Sequence, residues 1–210
     1  MWASIDSDNN VTKVYTRPTA ITYGDVNYPQ NVMSSWTNDE LATIKVYPVV
    51  EDSTNYEDPS YYINTNETFT YYDSVSVGGT TYTNTVLGAY GTATPMSLDD
   101  TTTTDPTTGE ITTTPGLKSN AITVQNQQAG GILQATDWMV VRAAEGGTPV
   151  PSDIETWRAA VRTKSNDMCT MIDGVADVDA LAALYNYTNT GTEESPVYTR
   201  PLGEFPELGA

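Results

Sequence analysis

The feature that most constrains this chain is a change in the period of its apolar residues near residue 117. Before that point, side chains alternate in short runs separated by Gly, Pro, Asn and Asp, the pattern of half-buried strands. After it, Ile122, Ala129, Ile132, Leu133, Thr136 and Val140 recur at three- and four-residue steps, the pattern of a helix face. A chain that switches once from strand period to helix period is expected to be α+β. The reading is an N-terminal antiparallel β-rich domain over residues 1–116, a helical hairpin with a short third helix over 117–185, and an extended C-terminal tail over 186–210.

Within the β-rich part, residues 2–5 and 11–15 flank Asp6-Ser7-Asp8-Asn9-Asn10, a turn-forming run that predicts a hairpin. Pro18 and Pro29 bracket an extended stretch containing Ile21, Tyr23 and Val26. Thr37 or Asn38 caps a short helix that Leu41 and Ile44 dock, and Tyr47-Pro48-Val49-Val50 returns to extended chain. The best-specified element is the hairpin of residues 69–77 and 80–86 around Gly78-Gly79, which suits a two-residue primed turn. That turn sets Val75 opposite Tyr82 and Tyr71 opposite Val86. It places Phe69, Tyr71, Val75 and Val77 on one face and Thr70, Tyr72, Ser74 and Ser76 on the other.

Residues 95–116 form a Thr-rich stretch. Asp105-Pro106-Thr107-Thr108-Gly109 puts Pro and Gly where a tight turn requires them, so the flanking Thr runs read as a two-stranded arm; a flexible linker is the competing reading. Two long helices follow, over about 117–144 and 152–174, joined by a loop holding Gly146-Gly147, Pro149 and Pro151. Ser152 and Glu155 have the spacing of a capping box, and Ile154, Trp157, Val161, Met168, Ile172 and Val175 line the second helix. Ile122, Ile132, Leu133 and Val140 are expected to face them. Asp177 opens the short helix, and Val14-Tyr15-Thr16-Arg17-Pro18 recurs as Val197-Tyr198-Thr199-Arg200-Pro201, through chance or through equivalent roles of the two segments.

Composition narrows the function. The formal net charge is −18 with nine Lys and Arg against 27 Asp and Glu, which disfavours binding to nucleic acid or to anionic membranes. The chain has no histidine, which removes His-based acid/base chemistry, the common catalytic triads and the usual zinc sites. Its single cysteine, Cys169, sits among Met168, Met171 and Ile172 and reads as a small buried hydrophobe. Asp6, Asp8 and Asn10 begin like a calcium loop, but Val11 and Arg17 stand where Gly and Glu would be needed, so the segment reads as a turn. No phosphate-binding loop or dinucleotide fingerprint is present. The expectation is a protein that is not an enzyme, with no catalytic, cofactor or metal residues. Hydrophobic residues make up only 38%, so stability is expected to lean on partners and self-association.

Certain segments resemble a known group. Met1-Trp2-Ala3 with Val11-Thr12-Lys13-Val14-Tyr15-Thr16-Arg17-Pro18, then Trp36, Glu40-Leu41 and Tyr47-Pro48-Val49, resemble the N-terminal region of tail-associated structural proteins of marine tailed phages. Ile132-Leu133-Gln134-Ala135-Thr136-Asp137-Trp138, Pro151-Ser152-Asp153 and Trp157-Arg158-Ala159-Ala160-Val161-Arg162 resemble the C-terminal helical hairpin of tail-fibre and fibre-assembly proteins. The resemblance leaves the Thr-rich middle uncovered. It implies a structural virion component that joins subunits of the tail or its fibres, made in the host cytoplasm, with other virion proteins as partners. A tail-fibre assembly chaperone and a capsid decoration protein are the alternatives. It also implies a homo-oligomer, for which a trimer is the leading expectation. Trp138, Trp157, Arg158, Tyr198 and Arg200 are the candidate partner-binding residues, since Trp, Tyr and Arg are the usual interface anchors. The competing reading makes the first three hairpin core and a satisfied charge.

Overall fold

The computed structural model describes residues 1–209 and is α+β, with strands leading and helices following. It separates into two compact units, Met1–Thr94 and the chain from Pro95 onward.

In the first unit, β1 (Trp2–Ile5) and β2 (Val11–Tyr15) form an antiparallel hairpin. The Asp6 carboxylate accepts the Asn10 side-chain amide at 3.1 Å and the backbone N–H groups of Asn10 at 2.9 Å and Asp8 at 2.8 Å, which closes the turn and lowers the Asp6 pKa. The segment between Pro18 and Pro29 is not a single extended stretch. It folds back on itself as β3 (Ile21–Tyr23) and β4 (Val26–Tyr28), because Gly24 supplies a positive φ of 59° between them. A four-residue helix α1 (Val32–Ser35), absent from the sequence reading, precedes α2 (Asn38–Thr43). Thr37 caps α2 in a reciprocal box: its hydroxyl accepts the Glu40 N–H, and the Glu40 carboxylate accepts the Thr37 N–H at 2.8 Å.

Next come β5 (Val46–Asp52), β6 (Tyr62–Ile63), β7 (Thr68–Val77) and β8 (Thr80–Ala89), with the two-residue β9 (Thr94–Pro95) at the boundary of the units. The main sheet has five strands in the order β2-β1-β5-β8-β7. All its pairs are antiparallel except β5 with β8, where Val49 lies beside Val86. The β7–β8 register has Val75 opposite Tyr82 and Tyr71 opposite Val86, as expected from the Gly78-Gly79 turn, whose φ values are 56° and 81°. Phe69, Tyr71, Val75 and Val77 are half-buried, while Thr70, Tyr72, Ser74 and Ser76 are exposed, so the two faces fall as the alternation requires. Gly88 lets Glu67 and Phe69 lie across β8, for a Cβ there would stand 2.5 Å from Glu67 Oε1 and 2.8 Å from Phe69 Cε1.

Both faces of the sheet are covered. On one, Tyr15, Ile21, Val32, Met33, Leu41, Ile44 and Val46 pack together, with Trp2, Tyr28 and Trp36 against them. On the other, Ala3, Ile5, Tyr47 and Val86 form a smaller cluster beside Phe69 and Tyr71. Burial, and then the neighbouring Tyr47 phenol, push the Tyr71 pKa up to about 12, and its hydroxyl donates to Asn84 Oδ1 at 3.1 Å.

The second unit opens with β10 (Thr101–Thr104) and β11 (Ile111–Thr114), followed by α3 (Leu117–Ala144), α4 (Ser152–Asp173) and α5 (Val178–Ala183). The Thr-rich arm therefore belongs with the helices and not with the β-rich domain of residues 1–116. The segment leading into it is bonded to the start of α3: Leu117 and Lys118 donate their N–H groups to Ser97 and Leu98 O, each at 3.0 Å, and Lys118 pairs with Asp99 at 3.2 Å. The helices α3 and α4 are antiparallel, since Arg158 reaches Leu133 while Ser165, further along α4, reaches Asn126, earlier on α3.

Val161, Met168 and Ile172 are fully buried along α4, and Ile154 nearly so, as their spacing predicts. On α3 the outcome differs. Its buried residues are Gln125, Ala129 and Thr136, while Ile122, Ile132 and Leu133 are half-buried. Val140, at the same azimuth as the half-buried Ile122, is 40% exposed near the C-terminal end of α3.

The capping box at Ser152 is not formed. Pro151, extended at ψ 141°, takes the N-cap position and makes Ser152 the first helical residue, where its side chain makes no cap hydrogen bond. At the short helix the expected cap is present, with Asp177 accepting the Ala180 N–H at 2.8 Å. The tail is not simply extended. Thr188–Asn189 (β12) pairs antiparallel with Tyr198–Thr199 (β13), and the chain then returns to bury Leu202 completely.

Replacing Ile172 by Ala is expected to cost about 2–5 kcal/mol by opening a cavity in the α4 core. Ser152→Ala, with no cap to lose, is expected to stay within about 0.5 kcal/mol of the parent. Urea denaturation of the two variants checks both values.

Candidate functional site

The arm and the five candidate partner-binding residues read from the sequence all lie in the second unit. The arm is a regular antiparallel ladder with Thr101 opposite Thr114 and Thr104 opposite Ile111, and all eight strand residues are exposed. Its order comes from the turn. Asp105 donates its N–H to Glu110 O at 2.9 Å and its carbonyl accepts the Gly109 N–H at 2.8 Å, with Gly109 at φ 71°. The Asp105 carboxylate also accepts the N–H groups of Thr108 at 3.0 Å and Thr107 at 2.7 Å. These bonds favour the ionised acid and hold its pKa below the ordinary value of 3.8. The expected two-stranded arm is thus present, and a featureless linker is not.

The five candidate partner-binding residues do not form one site. Arg158 is 6% exposed, and its guanidinium donates to Leu133 O at 2.8 Å, to the Thr136 hydroxyl and to the Asp137 carboxylate at 2.7 Å. Its donors are directed inward, so it is a tie between α3 and α4. Trp157 is half-buried and donates its indole N–H to Pro206 O at 2.9 Å, which fastens the tail to α4. A cavity of 690 Å³ lies beside this bond, lined by Ser152, Ile154, Ala160, Pro206 and Leu208 among others. Arg200 is held within its own segment, donating to Gly203 O at 3.1 Å and pairing with Glu204 at 2.8 Å. Its guanidinium carbon stands 5.9 Å from the Tyr185 ring and 5.3 Å from the Tyr187 ring. That leaves Trp138, 55% exposed, and Tyr198, 64% exposed, as the two candidates presented outward.

The repeated Val-Tyr-Thr-Arg-Pro segments share a place in local structure, each supplying the second strand of a hairpin, but not an environment. Tyr15 is 8% exposed within the core of the first unit, whereas Tyr198 lies open on the second.

Sequence reasoning missed the clasp around Arg200. The Tyr187 hydroxyl donates to Glu204, and that bond, followed by burial, raises its pKa. The four-residue spacing of Arg200 and Glu204 was the available signal. Reasoning also missed Gln125, buried to 1% exposure with its side-chain oxygen unpaired. Cys169 is half-buried, and its thiol lies 3.7 Å from Asn126 Oδ1. Among the described residues no cluster of His, Cys, Asp or Glu could hold a metal ion, and no helix is long and apolar enough to cross a membrane.

No family model, curated protein or solved structure matches this chain.

Two outcomes follow from these arrangements. Arg158→Met is expected to destabilise the protein by about 1–3 kcal/mol, read as a lower melting temperature, because it strands buried acceptors on α3. Arg158→Lys is expected to recover little, since an ammonium cannot reproduce a fork reaching three oxygens. In the arm, the folded carboxylate of Asp105 has the lower pKa, so its contribution is present above the ordinary aspartate value and is lost as pH falls through the folded one. An NMR titration is expected to show the Thr107 and Thr108 amides moving together below pH 3.8.

Proposed function

We propose that this chain is a structural component of a tailed-phage virion that attaches neighbouring subunits in the tail or its fibres. The observation that carries this reading is the arm. Eight strand residues with no buried side chain among them are held in register by a turn with its own hydrogen bonds, so each outer strand edge offers unpaired backbone groups to another chain. An isolated two-stranded hairpin gains little stability in water, and pairing with a second chain supplies what it lacks. The outward-facing Trp138 and Tyr198 are side chains of the kind that anchor such contacts. The resemblance of the N-terminal and helical segments to tail-associated and fibre-assembly proteins points to the same setting. Its partners are then other virion subunits and copies of itself, with no catalytic role and no cofactor.

Deleting residues 102–113 is expected to leave the protein folded, with an unchanged melting temperature, and to reduce its incorporation into particles. Quantitative mass spectrometry of purified virions measures this. Normal incorporation of the deleted protein would end the role assigned to the arm. Absence of the intact protein from mature particles would favour the fibre-assembly chaperone instead.

A further inference from the structure

The five-stranded sheet of the first unit ends in two strands, β2 and β7, each hydrogen-bonded on one side only. Such edges can take a further strand from another chain. On β1 the Met1 carbonyl accepts the Val49 N–H and the Ile5 N–H goes to Lys45 O, so its odd-numbered residues bond toward β5. Trp2 and Ser4 then bond Tyr15 and Lys13 of β2, and Val14 between those two turns its N–H and carbonyl outward. The arm is built the same way. Asp105 donates to Glu110 O, which makes Thr103–Thr112 and Thr101–Thr114 the bonded pairs and leaves the backbone groups of Ile111 and Thr113 facing out.

Charge chooses between the two edges. The chain carries −18, so copies repel except where one surface is locally reversed. From Asn9 to Gly24 there is no acidic residue. Within that span Lys13 and Arg17 are both exposed and, among the described residues, in no ion pair. β7 is the opposite, with Glu67 before it, Asp73 within it and no Lys or Arg from 67 to 77. The turn at the tip of the arm carries Asp105 and Glu110, and Glu110 is exposed and likewise in no ion pair among the described residues. β7 repels that tip, and β2 attracts it.

We infer that the arm of one copy seats on β2 of a second copy of this chain, with β11 antiparallel to β2 and Ile111 opposite Val14. That register joins the outward backbone groups of the two strands. It sets Thr112 opposite Lys13 and Glu110 opposite Tyr15, so the Glu110 carboxylate lies diagonally between Lys13 and Arg17 on one face. On the other face Ile111, 68% exposed, covers the half-buried Val14. The other strand of the arm, β10, would bring the tip to Arg17 only in the parallel sense, which pairs less well. Arm and edge are different surfaces, so copies join head to tail, through a single strand pair of the small, transient kind. The inference rests on the arm being an attachment element, and not on the virion setting.

Sedimentation equilibrium on the full chain is expected to show a mean mass that rises with concentration. Glu110→Lys, and separately Lys13→Glu with Arg17→Glu, should each raise the dissociation constant at least about tenfold. All three side chains are exposed, so melting temperatures should hold, which separates loss of the contact from loss of the fold. An equimolar mixture of the two charge-reversed proteins should associate again, because each arm then meets an edge of opposite sign. In a Cys169→Ala background, Lys13→Cys mixed with Thr112→Cys under oxidising conditions should give the mixed disulfide. A parent that stays monomeric, reversals without effect, or a mixture that does not associate overturns the inference. Lost incorporation on deleting the arm, with normal incorporation of the Lys13→Glu and Arg17→Glu variant, would leave the arm its attachment role and overturn β2 as its seat.

Discussion

The helical unit is organised by a buried guanidinium more than by apolar area. Arg158 reaches across from α4 to the Leu133 carbonyl, the Thr136 hydroxyl and the Asp137 carboxylate, within about one turn of α3. Three acceptors at fixed places on one helix admit a single axial register for the other, whereas apolar packing alone would tolerate a slip. Everything beyond α4 inherits that register. Lys164 donates to Leu202 O at 2.8 Å and Trp157 to Pro206 O at 2.9 Å, so the returning tail is fastened to side chains whose height along α4 Arg158 has set.

The β-rich unit solves the same shortage of apolar residues differently. Its sheet is covered on both faces by small clusters, and successive residues of β1 serve opposite ones: Trp2 packs on one side, Ala3 on the other. A one-residue slip of β1 would exchange the two. Polar bonds hold the connections, with Asp6 closing one turn and the Thr37–Glu40 box fixing the start of α2.

Where the sequence was legible, a local rule and the tertiary environment agreed. The Gly78-Gly79 turn determined the β7–β8 register and both of its faces, and Asp105-Pro106 with Gly109 determined the arm. The apolar steps along α4 identified Ile154, Val161, Met168 and Ile172 correctly. Reading failed where polar residues took structural places. Gln125 and Thr136 occupy the buried line of α3 that apolar periodicity assigns to Ile122 and Val140. Pro151, with an extended ψ of 141°, takes the N-cap position and leaves Ser152 as the first helical residue. The β12–β13 pairing depends on the Asn189 side chain accepting the N–H groups of Gly191 and Val197, each at 3.0 Å, a loop bond that no periodicity encodes. Among the candidate contact residues, chemistry nominated the right types. It could not tell an arginine already satisfied inside the fold from a tryptophan facing solvent.

The attachment of the tail bears on how this protein would respond to a protease. The loop between β12 and β13 is exposed throughout, as a cleavage site must be. A cut at Glu193 or Glu194 would sever the chain without freeing its last segment. Leu202 would remain buried, Arg200 would stay between Tyr185 and Tyr187, and the bonds from Lys164 and Trp157 would still hold the other piece. The nicked protein would run as two bands under denaturing conditions and as one species in its native form.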